Sequence, residues 1–353
     1  MSEHERHAQA VLVERAAIVA TGCALLECAG ALPAHARTVL DHLADASAMG
    51  LHSHGLMRIP QYLREIGLGE IAPAEIPAIE RSSPTRLVVD GRRGFGQVVG
   101  MALVESLVPM AREQGMALAT GHTLGHTGRV GAYPEAIARA GLIGIAACSG
   151  PPSGHWVAPF GGRDGRISTN PLAFAWPVAG DDPVVADFST AATAEGVVRS
   201  LRNRGLAAPD GMLRDADGQA TTDPNTLYDS PRGAIQPLGG PLGYRGTALA
   251  MLVEVLAATL SGESIDDASR VGTDIALLAI APSGGFADLA SRLSEHIRST
   301  RPIDPGNPVQ VPGDRERRAA RSTTRLLVDG PTWLALRDAT GAAGLPLPDA
   351  RPA

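Results

Sequence analysis

The sequence lacks the features that would place the chain outside a reducing, aqueous compartment. Its three cysteines, Cys23, Cys28 and Cys148, are odd in number and have no C-x-x-C spacing, which argues against a disulfide framework and a structural zinc site. The opening residues, MSEHERHAQAV, mix charges instead of placing a basic stretch ahead of an apolar one, so no secretion signal is legible. The longest apolar stretch, 247–260, contains Glu254 and falls short of a membrane span. No dense basic tract offsets the formal net charge of -6, and the arginine-rich run at 315–321 reads as a solvated helix face. Neither nucleic acid nor a membrane is therefore an expected partner, and a cytoplasmic location is the default. Internal repeats, low-complexity tracts and linkers marked by composition are also missing.

What is present suits a globular enzyme. A chain of 353 residues, 44% hydrophobic and 19% charged with 41 glycines and 27 prolines, buries a sizeable core in about two domains or one large α/β domain. Apolar spacing predicts helices over 5–29 and 33–49, broken at Gly30 and Pro33. There follow a strand at 86–90, a helix at 98–113, a strand at 116–120, a loop at 121–128 and a helix at 129–140. Strands at 142–148, 170–177 and 183–188 continue the alternation. A Gly/Pro/Asp-rich excursion over 203–244 precedes a helix at 245–260, a strand at 274–281, a helix at 286–299 and two closing helices. The alternation is that of an α/β fold.

Two clusters can carry chemistry. In Ser53-His54-Gly55-Leu56-Met57-Arg58-Ile59-Pro60-Gln61-Tyr62, His54 can exchange a proton near neutral pH and Arg58 can grip a carboxylate with two parallel hydrogen bonds. Ser53 and Tyr62 can orient a ligand, Gly55 lets the turn approach it, and a helix starting at Arg58 puts Tyr62 one turn along the same face. The same residues also read as a helix-connecting loop with surface His and Arg. The second cluster, Gly121-His122-Thr123-Leu124-Gly125-His126-Thr127-Gly128, follows an apolar strand, where α/β proteins place catalytic groups, or is simply a turn with two exposed imidazoles.

Two further readings stay open on spacing alone. His52, His54, His122 and His126, with Asp187 as a further ligand, suggest a metal-dependent hydrolase or lyase. Gly94-Phe95-Gly96-Gln97-Val98-Val99-Gly100 imitates the dinucleotide fingerprint G-x-G-x-x-G. Its last glycine is displaced, and the next strand ends in Thr-Gly where an acidic residue would hold a ribose.

The S-H-G-x-x-R-x-P-x-Y block resembles the signature of the malate/L-lactate dehydrogenase type 2 family. The likeness continues in order through His126 to Tyr133, 141–145, 158–162, Thr169-Asn170-Pro171, Asp187-Phe188-Ser189, Gly239-Gly240 to Gly246, and Pro312-Gly313-Asp314, covering roughly 5–345. The resemblance implies a non-Rossmann α/β fold with a mixed sheet flanked by helices, and a homodimer with sites near the subunit interface. It further implies NAD or NADP, and hydride transfer to or from a small 2-hydroxy, 2-oxo or cyclic 2-imino carboxylate such as malate or lactate. By position, His54 and His126 would be the catalytic acid and base. Ser53, Arg58, Tyr62 and Thr169 would bind substrate, and no metal is called for. Asp187, Phe188, Ser189, Tyr244, Arg245, Gly313, Asp314 and Arg315 would contact the cofactor. A helical region at 1–85 that packs with the C-terminal helices, a cofactor-binding α/β domain at 86–260 and a closing region at 261–353 are the expected divisions. Gly125 and Arg245 depart from the family's usual Asn and Lys.

Overall fold

A computed structural model describes residues 9–353. Its elements in chain order are β1 (Val11–Glu14), α1 (Arg15–Cys28), α2 (Pro33–Ala48), α3 (Arg58–Gly67), β2 (Ala78–Ser83), β3 (Arg86–Asp90), α4 (Gly96–Gln114), β4 (Met116–Leu124) and α5 (Ala132–Arg139). They continue with β5 (Ile143–Ser149), β6 (Pro171–Trp176), β7 (Val184–Ser189), α6 (Glu195–Asn203), β8 (Leu213–Arg214), β9 (Ala220–Thr221), β10 (Ala234–Ile235) and α7 (Tyr244–Ala257). The chain closes with β11 (Thr273–Ile280), α8 (Phe286–Arg298), α9 (Asp314–Ser322), β12 (Arg325–Val328), α10 (Gly330–Ala343) and β13 (Ala350–Pro352).

Seven strands form the main sheet in the order β2-β3-β4-β11-β5-β6-β7. Only β3 and β4 run parallel, because α4 crosses between them, and every other neighbouring pair is antiparallel. Strand periodicity decides which face each side chain serves. On β11, Ile275, Leu277 and Ala279 point into a core with Val99, Leu103 and Leu107 of α4 and Tyr133 and Ile137 of α5. The intervening Ala276 joins Ala147 and Val253, where α7 covers the other face. The mixed α/β sheet flanked by helices is as expected, and no helix among the described residues is long and apolar enough to cross a membrane.

A second core joins α1, α2 and α3 to Leu326, Val328 and Leu336 near the other end of the chain. Here the sequence reading needs correction. Of the helix predicted over 5–29, residues 5–8 lie outside the described residues and Val11–Glu14 is a strand, flanked antiparallel by β12 and β13. Its partners lie more than three hundred positions away, so local spacing carries no trace of them. β2, β12 and the small sheet β10-β8-β9 inside the 203–244 excursion were likewise unforeseen. The helix after the second loop begins at Ala132 and not at 129, and Gly128 just before it, at φ 69°, lies outside helical geometry.

Candidate active site

The first wall of the site is the turn His52–His54 and the start of α3. Ser47 ties it down: its Oγ accepts the Leu56 N–H at 3.0 Å, and a Cβ on Gly55 would overlap that oxygen. Gly55 therefore serves the approach of α2 rather than of a ligand. From this anchor, α3 buries Arg58, Ile59 and Tyr62 along one face. Arg58 Nε donates to the Ser53 carbonyl at 2.7 Å, and one terminal nitrogen donates to Gln61 Oε1. Gln61 in turn donates to Glu65 at 2.6 Å. Arg58 itself makes no ion pair among the described residues, although it is 7% exposed. A buried cation without a carboxylate is costly unless an anion joins it.

The second wall is the loop after β4. His126 lies over His54, the two rings parallel within 2° and their centroids 5.6 Å apart. The Tyr62 hydroxyl is 2.8 Å from His126 Nδ1, and Gln97 Nε2 donates to that hydroxyl at 2.7 Å. Fully buried, Tyr62 meets His126 and Gln97 rather than solvent. Burial first, then the charges of Arg58 and Arg129, hold His54 down to about 3. Burial, Arg58 and His54 hold His126 well below the ordinary histidine value. Behind them, His42 accepts the Arg129 N–H at 2.8 Å and is lowered to about 3, chiefly by burial. All three imidazoles are neutral at neutral pH.

The glycine run that imitates a dinucleotide fingerprint has a different task. Gly94 O accepts the Gly125 N–H at 2.8 Å, and a Cβ on Gly96 would lie 2.7 Å from both the His126 carbonyl and Thr127 Cα. The glycines let the start of α4 seat the His126 loop directly against backbone. Nor do the four histidines make a metal site. His122 turns away to Glu263, 3.6 Å from its Oε1, His52 is exposed, and among the described residues no three His, Cys, Asp or Glu side chains converge on one ion.

Four of the residues expected at a cofactor, Asp187, Phe188, Ser189 and Gly313, lie on or against the edge strand β7. Asp187 Oδ2 accepts the Gly131 N–H at 2.7 Å, just beyond the His126 loop, and Ser189 donates to the Thr169 carbonyl at 2.8 Å. Phe188, partly buried, packs edge-on against Phe174. Gly313 lies against Val185, where a Cβ would sit 3.1 Å from the Val185 carbonyl, and Pro312 O accepts the Val185 N–H. Leu238, which contacts Gly246 of α7, donates its N–H to Thr190 at 3.0 Å. At the head of α7, Tyr244 and Arg245 are exposed, with Phe160 set edge-on to Tyr244. Three distant segments, at Gly131, Pro312-Gly313 and Leu238, thus border β7 and its C-terminal end. Asp314 is engaged differently: burial opposes its charge, but Arg298 at 2.7 Å and Arg317 at 2.6 Å hold its carboxyl below the usual range. Arg315 is exposed beside Glu316, at 2.9 Å.

Sequence reasoning missed Gln97, His42 and Arg129. The one legible signal was a glutamine among the small and apolar residues that open α4.

The chain matches the family model for malate/L-lactate dehydrogenase over residues 13–336. It is 31% identical over 326 residues to hydroxycarboxylate dehydrogenase B of Escherichia coli, covering 88% of each chain. It is 32% identical over 279 residues to an Escherichia coli ureidoglycolate dehydrogenase (NAD(+)), covering 77% of each. The fold superposes on the crystal structure of a dehydrogenase from Sinorhizobium meliloti with a TM-score of 0.85 at 33% identity, covering 93% of this chain and 97% of that one. Paired histidines beside a buried arginine on this fold, together with these matches, make the chain a member of the malate/L-lactate dehydrogenase family, an oxidoreductase of hydroxy and oxo acids.

Proposed function

We propose that the chain interconverts a small 2-hydroxy carboxylate and its 2-oxo (or cyclic 2-imino) counterpart with a nicotinamide cofactor, NAD or NADP, bound along β7. The observation that carries this reading is Arg58, a buried cation with no acidic partner among the described residues, beside two neutral imidazoles. When bound, the cofactor supplies or takes the hydride at nicotinamide C4. Arg58 grips the substrate carboxylate, its orientation fixed by Ser53 O and Gln61. His54 and His126 hold or move the proton of the substrate oxygen, and Tyr62 keeps the His126 ring in place. Ser53 and Thr169 border the substrate, while Asp187, Phe188, Ser189, Tyr244, Arg245, Gly313, Asp314 and Arg315 line the cofactor side.

An anionic substrate also tunes the site. Its carboxylate offsets the Arg58 charge, one cause of the depressed histidine values, so proton affinity rises when substrate arrives.

The working enzyme is a homodimer of the cytoplasm in this reading. Met251 and Val255 of α7 are 61% and 54% exposed and, with Tyr244 and Leu252, form an apolar stripe that a second copy covers. The three unpaired cysteines suit a reducing compartment.

Steady-state assays on a panel of 2-hydroxy, 2-oxo and cyclic imino acids with each cofactor test the assignment. His54→Ala and His126→Ala should each lose at least about a hundredfold in kcat. Near wild-type turnover in both variants would overturn it.

A further inference from the structure

Gln97 belongs to neither motif, yet it is the buried end of a chain of polar groups that reaches His126. It sits in the first turn of α4 with no exposed surface. Its Nε2 donates to the Tyr62 hydroxyl at 2.7 Å, while its Oε1 is buried with no hydrogen-bond partner among the described residues. A buried carbonyl left unpaired is costly, and such exceptions in native folds point to a role.

The proton count along the chain is closed. Tyr62 has one hydroxyl proton. With Gln97 Nε2 donating to the Tyr62 oxygen, that proton goes to His126 Nδ1, 2.8 Å away, and the Gly128 N–H points at the same nitrogen from 3.3 Å. The neutral ring then carries its own proton on Nε2. The two ends of an amide have nearly the same shape, so a half turn of the Gln97 amide puts Oε1 where Nε2 was. Tyr62 then donates to Oε1, its oxygen accepts from Nδ1–H in place of the weaker Gly128 N–H contact, and the ring's Nε2 is left bare. One arrangement presents a donor to the substrate oxygen and the other an acceptor.

We propose that Gln97 is a positioning residue which, acting through Tyr62, selects the ring nitrogen of His126 that carries the proton. The inference rests on the reading of His126 as a proton-handling group. In oxidation, bare Nε2 takes the hydroxyl proton as the hydride leaves the carbinol carbon for the nicotinamide. The ring becomes an imidazolium whose Nδ1–H stays on the Tyr62 oxygen, and reduction returns the same proton to the substrate oxygen.

The direct readout is the tautomer. Ring-nitrogen NMR of the full-length protein labelled with 15N-histidine, with His126 assigned by the signal lost in His126→Gln, reports which nitrogen is protonated. The ligand-free protein should show the proton on Nε2. In Gln97→Glu, read at a pH where the introduced side chain is ionised, the carboxylate can only accept, so Tyr62 must donate to it and the His126 proton should move to Nδ1. In Tyr62→Phe only the longer Gly128 N–H contact, at 3.3 Å, still favours a bare Nδ1, so the form protonated on Nε2 should lose part of its population, and Gln97→Glu should then have no further effect. Unmoved His126 signals in Gln97→Glu, or an equal displacement with and without the Tyr62 hydroxyl, would overturn the proposal. If Gln97→Glu does not fold, Tyr62→Phe alone decides, since unchanged His126 signals there also overturn it. In turnover, Gln97→Glu should change kcat by about tenfold with KM nearly constant and displace the pH profile of kcat. Should His126→Gln keep full turnover while the signals behave as expected, the tautomer control stands and the catalytic reading of His126 falls.

Discussion

The rings of His54 and His126 lie parallel, 2° apart in plane and 5.6 Å between centroids, so protonation of either opposes protonation of the other. Burial first, then Arg58, keeps both rings neutral, with Arg129 acting on His54 as well.

That electrostatic state sets the pH dependence of oxidation. A base must be unprotonated, so the rate falls as pH drops through its pKa. The limb of kcat/KM belongs to the free enzyme and that of kcat to the substrate complex. With a substrate already ionised above about pH 5, kcat/KM should stay flat between about pH 5 and 7 while kcat declines toward the acid side. Coincident limbs in a pH series would dismiss the role given to the carboxylate.

Acid sensitivity of the fold follows from the same groups. His42 and His54 are lowered to about 3 in the native chain, whereas an unfolded histidine titrates near about 6.5. Between those values the unfolded state binds more protons, so stability is fully present above about pH 6.5 and is lost as pH falls toward the native values. Each such histidine removes up to about 1.4 kcal/mol per pH unit in that window. Urea unfolding at several pH values checks this, and His42→Phe should flatten the slope below about pH 6.

Arg58 is expected to matter mainly for binding. Arg58→Lys keeps the charge but loses the fixed fork that Ser53 O and Gln61 orient. KM for the carboxylate should rise about tenfold to a hundredfold with a smaller drop in kcat, and Arg58→Gln should be worse. A panel of kinetic constants decides; an unchanged KM in both variants removes Arg58 from the substrate site.

Gly96→Ala tests the seat of the His126 loop. The added methyl meets backbone at Gly125, His126 and Thr127 that no rotamer change can relieve. The expected loss is about 1–3 kcal/mol of stability, as for other overpacked sites. A disproportionate fall in kcat should accompany it, because the histidine moves with the loop. Calorimetry beside kcat measurement separates the two effects, and wild-type values in both would contradict the packing.

Much of this site was legible in the sequence because its parts are local. Arg58 and Tyr62 share a helical face at i and i+4, and glycine-rich turns after an apolar strand mark a loop end. What stayed hidden depends on partners far along the chain. Val11-Leu12-Val13 has helix-compatible neighbours and becomes a strand only because β12 and β13 flank it. The glycines from Gly94 to Gly100 satisfied a local pattern for phosphate binding, and only the fold shows that Gly96 meets the backbone of the His126 loop and Gly100 the ring of Tyr133. Gln97 carried no spacing rule at all, since its meaning lies in a hydroxyl on another helix.

The close seating of the loop on α4 also bears on how the two walls are held. His126, Tyr62 and Gln97 are moored to two helices and to backbone with no slack, so this side of the cavity behaves as a fixed jaw. On the other wall, α6 packs against Ser53 and Arg58 through Gly196, where an added Cβ would lie 3.2 Å from Ser53 Cβ and from a terminal nitrogen of Arg58, so any side chain there would press on the arginine itself.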